Sequence, residues 1–180
     1  MDNHVQGRIH ETFKTDRADI VWAALARNKK DANLRPYVNG INVNGRISCT
    51  DGKRLHIVDN VPMGDGFYTI GSLTKTKVEL CGPESYDSYP NIDRVIPDME
   101  EVKSTMEVGF GEYAVHFSTA YSQIIRKINS NFTINVDFLK GFTYDWKVYF
   151  FDTMDNDKSI KAIVLVQGNR TAVIIPMRVE

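Results

Sequence analysis

Cysteine is scarce in this chain: Cys49 and Cys81 are the only two among 180 residues. Neither has neighbours at metal-ligand spacing, and two cysteines build no disulfide framework. Both are expected to be buried, reduced thiols. Long apolar runs are missing, so no membrane-spanning segment is read. The N-terminal Met-Asp-Asn-His-Val-Gln-Gly-Arg lacks the apolar core of a signal peptide, and a cytoplasmic location is expected. An excess of positive charge is missing too. The net charge of -1 advertises no global field toward polyanions. The four histidines, His4, His10, His56 and His116, show no ligand spacing, and His56 reads as a surface residue of a strand. There is no P-loop and no nucleophile elbow. Gly109-Phe-Gly111 has Ala114 where a dinucleotide fingerprint needs its third glycine. Asp152-Thr-Met-Asp-Asn-Asp157 lacks the glycine and closing glutamate of a calcium loop, so it reads as a turn. The sequons at Asn131 and Asn169 read as chance matches. No enzyme activity, metal or cofactor is expected.

What is present is an ordinary globular composition, 42% hydrophobic and 25% charged, long enough for one domain. Residues 1–12 read as a loose arm. A helix is expected from Asp16 to about Asn28, capped by Thr15 or Asp16, with Ile20, Val21, Ala24 and Leu25 on its apolar face. Strands follow at Tyr37–Val43 and Arg46–Ser48 around the Asn44-Gly45 turn, then at Leu55–Val58, Phe67–Ile70 and Lys75–Leu80. Gly82-Pro83-Glu84-Ser85 opens a connection, extended up to Pro97, and residues 98–107 are acidic and polar. The second part reads as a strand at Glu112–Phe117 and a helix at Ala120–Ile128. A short strand and helix follow at Phe132–Gly141 with Asn135 as cap, then strands at Trp146–Phe151, Lys161–Val166 and Thr171–Met177. The fold class expected is α+β: one domain over 1–180, with halves at about 13–97 and 108–180. Each half has a helix packed on antiparallel strands.

The most informative run is Arg46-Ile-Ser-Cys-Thr-Asp-Gly-Lys-Arg-Leu-His-Ile-Val58. Thr50 and Asp51 can cap a tight turn, and Gly52 can take a positive φ. Lys53, Arg54 and Leu55 leave it as two charges beside an apolar residue. On these residues alone, a peptide-gripping surface and a plain hairpin with solvated charges both stand.

Two further segments are Tyr89-Pro-Asn-Ile-Asp-Arg-Val-Ile-Pro97 and Ala172-Val-Ile-Ile-Pro-Met-Arg-Val-Glu180. With Arg35-Pro-Tyr-Val-Asn-Gly40 and the hairpin, they resemble, in order, four motifs of the bacterial sliding clamp. That family is the β subunit processivity factor of the replicative DNA polymerase. The resemblance implies a clamp-like fold of two pseudo-twofold halves. It also implies a groove that takes Gln-x-x-Leu-Phe-like peptides of polymerases and other clamp-binding proteins. The groove residues it implies are Thr50, Gly52, Lys53, Arg54 and Leu55 from the turn, and Pro90, Arg94 and Val95 from the linker. Val173, Ile175, Pro176 and Met177 come from the last strand. Leu55, Val95, Val173 and Ile175 would form the apolar pocket, and Met177 would add adaptable packing. Arg54 and amides near Gly52 would orient the polar end of the peptide.

Departures accompany the resemblance. Lys53 stands where the family has His, Ile175 where it has Met and Tyr89 where it has Phe, and Glu180 lies beyond the usual end. The chain is also short, a compact one-domain relative of a kind suited to phage or prophage genomes. Ring closure around double-stranded DNA would then need a homo-oligomer. DNA contact in the family implies Arg17, Arg27, Lys29 and Lys30 from the first helix and Lys140 from the second, with Arg126 and Lys127 as additions. Read as residues alone, these are equally solvated surface charges. A clamp mimic that competes for a host clamp's partners without encircling DNA is the alternative, favoured by the sparse basic lining.

Overall fold

The computed structural model describes residues 11–86, 88–111, 114–128, 131–151 and 162–179. Expectations for residues 1–10, Asp87, Glu112, Tyr113, Asp152–Asp157, Lys161 and Glu180 lie outside them. Among the described residues there are twelve strands: β1 Glu11–Thr15, β2 Gly40–Val43, β3 Arg46–Thr50, β4 Arg54–Asp59, β5 Gly66–Leu73, β6 Val78–Glu84, β7 Val102–Phe110, β8 Phe132–Thr133, β9 Tyr144–Phe151, β10 Ile163–Gln167, β11 Arg170–Ile174 and β12 Met177–Arg178. The helices are α1 Ala18–Ala24 and α2 Ala114–Lys127. Ten strands form one antiparallel sheet in the order β1-β6-β5-β2-β3-β4-β11-β10-β9-β7, and β12 pairs with β8 in a second, two-stranded sheet.

The order reveals the repeat. In the second half an edge strand, β7, precedes α2, and β9, β10 and β11 follow in adjacent positions. The first half has the same plan in β1, α1, β2, β3 and β4, with the β5–β6 hairpin inserted between β1 and β2. The final strands of the two plans, β4 and β11, pair antiparallel from Arg54↔Ile174 to Arg170↔Val58. The pseudo-twofold therefore passes through this seam. This is the expected α+β plan of two halves, each with a helix on antiparallel strands.

Strand alternation sends successive side chains to opposite faces and makes two cores. One face carries both helices. Trp22, Ile20 and Ala24 of α1 and Ala120 and Ile124 of α2 meet Ile47, Val58, Leu165, Ile174 and Trp146 there. Trp22 and Trp146, one from each half, lie 5.4 Å apart with Phe142 against both. On the other face Leu55, Ile57, Val164 and Val173 form a smaller core, covered by Ile92 and Ile96 of the segment joining the halves.

Several local expectations are corrected. α1 is shorter than the periodicity predicts, because the Leu25 carbonyl that would continue it accepts from Arg54 Nη2, and Asn28 N–H turns to the Val38 carbonyl at 2.7 Å. Neither Thr15 nor Asp16 caps it; Arg17 occupies the N-cap position and makes no side-chain cap bond. Pro36–Asn39 is a 3-10 turn ahead of β2, not strand. Residues 11 and 12, expected in the arm, pair with β6 opposite Gly82 and Cys81. β6 runs on through Glu84, across the cis Gly82-Pro83 bond, where a connection is expected. The acidic 98–107 stretch mostly forms the edge strand β7, whose one exposed flank and polar face hide the apolar signal. Described residues expected as strand after Gly111 belong to α2. The last strand breaks at Ile175-Pro176 and resumes as β12. His56 is fully buried, not a surface residue, and Cys49 is buried while Cys81 is only partly so. No helix among the described residues is long and apolar enough to cross a membrane.

Candidate functional site: an apolar groove at the seam

The turn between β3 and β4 is locked by its own side chains. Thr50 Oγ1 donates to the Arg54 carbonyl at 2.7 Å and accepts the Gly52 N–H at 3.0 Å. Asp51 Oδ1 accepts the N–H groups of Lys53 and Arg54 at 2.8 and 2.9 Å. Gly52 supplies the φ of +87° that closes the turn. The next residue into the sheet is Leu55, directly opposite Val173 across the seam, and Ile175 N–H bonds the Lys53 carbonyl at 2.9 Å.

The joining segment crosses this end of the seam. Asn91 caps its first 3-10 turn, Ile92–Arg94, by accepting the Asp93 N–H at 3.0 Å. The result is a groove of about 190 Å³ bounded by Thr50, Gly52, Lys53, Arg54, Leu55, Pro90, Val95, Val173 and Ile175, together with Tyr37, Asn91 and Ile92. Leu55 and Val173 form a buried floor, whereas Val95 and Ile175 stand 45% and 40% exposed at its rim. Small-molecule pockets start at roughly 300 Å³, so this volume fits one or two side chains.

Three of the twelve implied groove residues lie elsewhere. Arg94 lines an adjoining hollow with Val95, Ile96, Pro97, Glu101, Ala162 and Ile175. Pro176 is buried, and Met177 pairs with Thr133, so the C-terminal strand pins the chain to β8. Tyr37, Asn91 and Ile92 were not singled out, although all three sit inside the motif segments.

The polar end differs from the expectation. Arg54 reaches away from the groove: Nε meets Asp51 Oδ2 at 3.1 Å, Nη1 donates to the Asp137 and Phe138 carbonyls at 3.3 and 3.4 Å, and Nη2 donates to the Leu25 carbonyl. Its guanidinium also lies 5.1 Å from the Phe138 ring centre. The Gly52, Lys53 and Arg54 amides are satisfied within the turn. Arg54 is thus a brace between the turn, α1 and the second half, and Lys53 is the cationic side chain at the groove.

The basic residues of the helix face are scattered. Arg17 is held by Asp19 at 2.7 Å and Lys140 by Asp137 at 2.7 Å. Arg27 is half-buried, and burial lowers its pKa. Lys29 and Lys30 are exposed on a 3-10 turn beyond α1, not on the helix, and Arg126 and Lys127 are exposed in the last turn of α2. Among the described residues no group of three or more His, Cys, Asp or Glu side chains is placed to hold a metal.

A strand–helix–meander unit repeated about a paired seam defines the fold class of the sliding clamps, and solved structures agree. The β subunit of DNA polymerase III from Streptococcus pneumoniae superposes with a TM-score of 0.56 at 12% identity, over 99% of this chain and 69% of that one. The Pseudomonas aeruginosa sliding clamp bound to griselimycin gives 0.55 at 14% identity, over 99% and 68%. The Thermotoga maritima β subunit gives 0.55 at 14%, over 94% and 66%. The chain spans about two-thirds of the length of these clamps. No protein-family model and no curated protein matches the sequence.

Proposed function

We propose that this protein is a non-catalytic, sliding-clamp-like accessory of DNA replication. Its groove binds clamp-binding peptides of a DNA polymerase or an associated factor. One observation carries the reading: residues far apart in sequence, from the 50–55 turn, the joining segment and β11, converge on a single apolar groove at the seam of a clamp fold. Buried apolar anchors would supply most of the affinity. As a homo-oligomer the chain would encircle double-stranded DNA, holding phosphates through Lys29, Lys30, Arg126 and Lys127 without reading bases. The mimic reading keeps the groove and omits the ring. The pairing of Arg17 with Asp19 and Lys140 with Asp137 favours it, since it leaves a thin positive lining.

The test is a fluorescence-anisotropy titration with a labelled Gln-x-x-Leu-Phe peptide beside a scrambled control. Saturable micromolar binding that is lost in Leu55→Asp supports the groove; equal binding of both peptides overturns it. Light scattering then separates ring from mimic, a multiple of 20.5 kDa against the single chain.

A further inference from the structure

Most polar side chains of the groove are engaged within the protein. Five stand on its wall: Tyr37, Thr50, Lys53, Arg54 and Asn91. The Thr50 hydroxyl donates to the Arg54 carbonyl, and the Arg54 guanidinium turns away to Asp51 and to carbonyls of two distant segments. Arg35 bonds the Tyr37 hydroxyl. Asn91 Oδ1 accepts the Asp93 N–H, which leaves the Nδ2 donor. Among the described residues nothing pairs with the Lys53 ammonium, and Lys53 stands exposed beside the groove.

What remains is a set of donors. The carboxylates at this end of the sheet are already taken. Asp51 accepts the Lys53 and Arg54 amides and Arg54 Nε, and Asp31 accepts Arg35 Nη2 at 2.6 Å and Asn28 Nδ2 at 2.9 Å. No carboxylate lines the groove among the described residues. A further guanidinium stands at the same turn, where Arg35 Nη1 lies 3.0 Å from the point a Gly52 Cβ would occupy. A carboxylate only accepts, and it answers such a set in full. A carboxamide brings an amino group for which the wall has no unengaged side-chain acceptor.

The strand places the charge. Lys53 lies two residues ahead of Leu55, the buried floor. A peptide anchored on Leu55 therefore meets the ammonium within two or three residues, at about 3.3 Å of extended chain per residue.

We infer that Lys53 selects the peptide: the segment that fills this groove carries a glutamate or aspartate on one side of its apolar anchor, two or three residues away. The inference rests on the peptide-groove reading and extends it from affinity to selectivity. The net charge of -1 gives the chain no general attraction for acidic peptides, so a preference for one has to come from the groove.

Anisotropy titrations with four labelled peptides test it: the Gln-x-x-Leu-Phe motif, the motif with glutamate in place of its Gln, the motif with glutamate two residues after its Phe, and a scrambled order. One glutamate peptide is expected to bind about fivefold tighter than the glutamine peptide and the other no tighter, with the gain shrinking as salt is raised. In Lys53→Gln the gain should disappear, and in Lys53→Glu the favoured peptide should become the weaker binder, both variants melting with the wild type. Equal gains from both glutamate positions, no gain from either, or a gain that survives Lys53→Glu overturns the inference and leaves the groove standing. A glutamine peptide no better than the scrambled one removes the groove reading, and this inference with it.

Discussion

The imidazole of His56 lies flat on the indole of Trp22, ring centroids 4.1 Å apart and planes 5° from parallel, and Nδ1 lies 3.0 Å from the Trp22 carbonyl. A carbonyl only accepts, so Nδ1 carries the proton of a neutral ring. The stack ties β4 to α1 at the middle of the helix-side core.

A pH dependence follows. Burial, and next the charge of Arg54, lower the pKa of His56 from 6.5 to about 3. The unfolded chain therefore takes up this proton first. The contribution is whole above pH 6.5 and shrinks as pH falls toward 3, by about 1.4 kcal/mol per pH unit. Urea unfolding of the wild type should lose about 2 to 3 kcal/mol between pH 7 and 4.5 relative to His56→Phe, which keeps the stack and cannot titrate. Parallel pH profiles for the two proteins would refute this.

Arg54 predicts a stability effect at what the motif presents as a binding residue. Arg54→Ala removes the guanidinium that pairs with Asp51 Oδ2 and takes one donor from each of the Leu25, Asp137 and Phe138 carbonyls, at a cost of about 3 kcal/mol. Arg54→Lys should recover little, because a single ammonium does not reach four acceptors in a fork. Chemical denaturation of both variants checks it.

The rim residues should separate binding from folding. Ile175→Ser removes apolar surface that is already 40% exposed, so the melting temperature should move by less than about 3 °C. Peptide affinity should drop about tenfold if the side chain is an anchor. Calorimetry and anisotropy on one preparation give both numbers.

Gly52→Ala tests the turn. A methyl group there meets φ of +87° and approaches Arg35 Nη1 to 3.0 Å. A loss of about 1 kcal/mol is expected, together with weaker peptide binding as the 50–55 turn shifts.

The thiols should differ sharply. Burial pushes the Cys49 pKa up to about 12, while Cys81 is partly exposed on β6. Titration with a thiol-reactive dye should label Cys81 in the native protein and Cys49 only on unfolding; fast double labelling would contradict the buried assignment.

Local chemistry made part of this legible in the sequence. Asn44-Gly45 and Thr50-Asp51-Gly52 announce their turns because the residues that make each turn are the turn itself. Ala120–Ile128 shows its helix through Tyr121, Ile124, Ile125 and Ile128. β7 was hidden because an edge strand needs few apolar residues, and α1 was overextended because Arg54, 29 residues away from Leu25, ends it. The groove's motifs were visible; the direction of the Arg54 side chain was not, since carbonyls of two distant segments decide it.

The inserted β5–β6 hairpin widens the sheet to ten strands, and that width sets a distance between binding sites. If copies join edge to edge, successive grooves stand about 48 Å apart at ordinary strand spacing. A factor carrying two groove-binding segments would need on the order of 75 residues of flexible chain between them to engage adjacent copies comfortably. A shorter tether would confine it to one copy and leave the neighbouring groove open to a different factor.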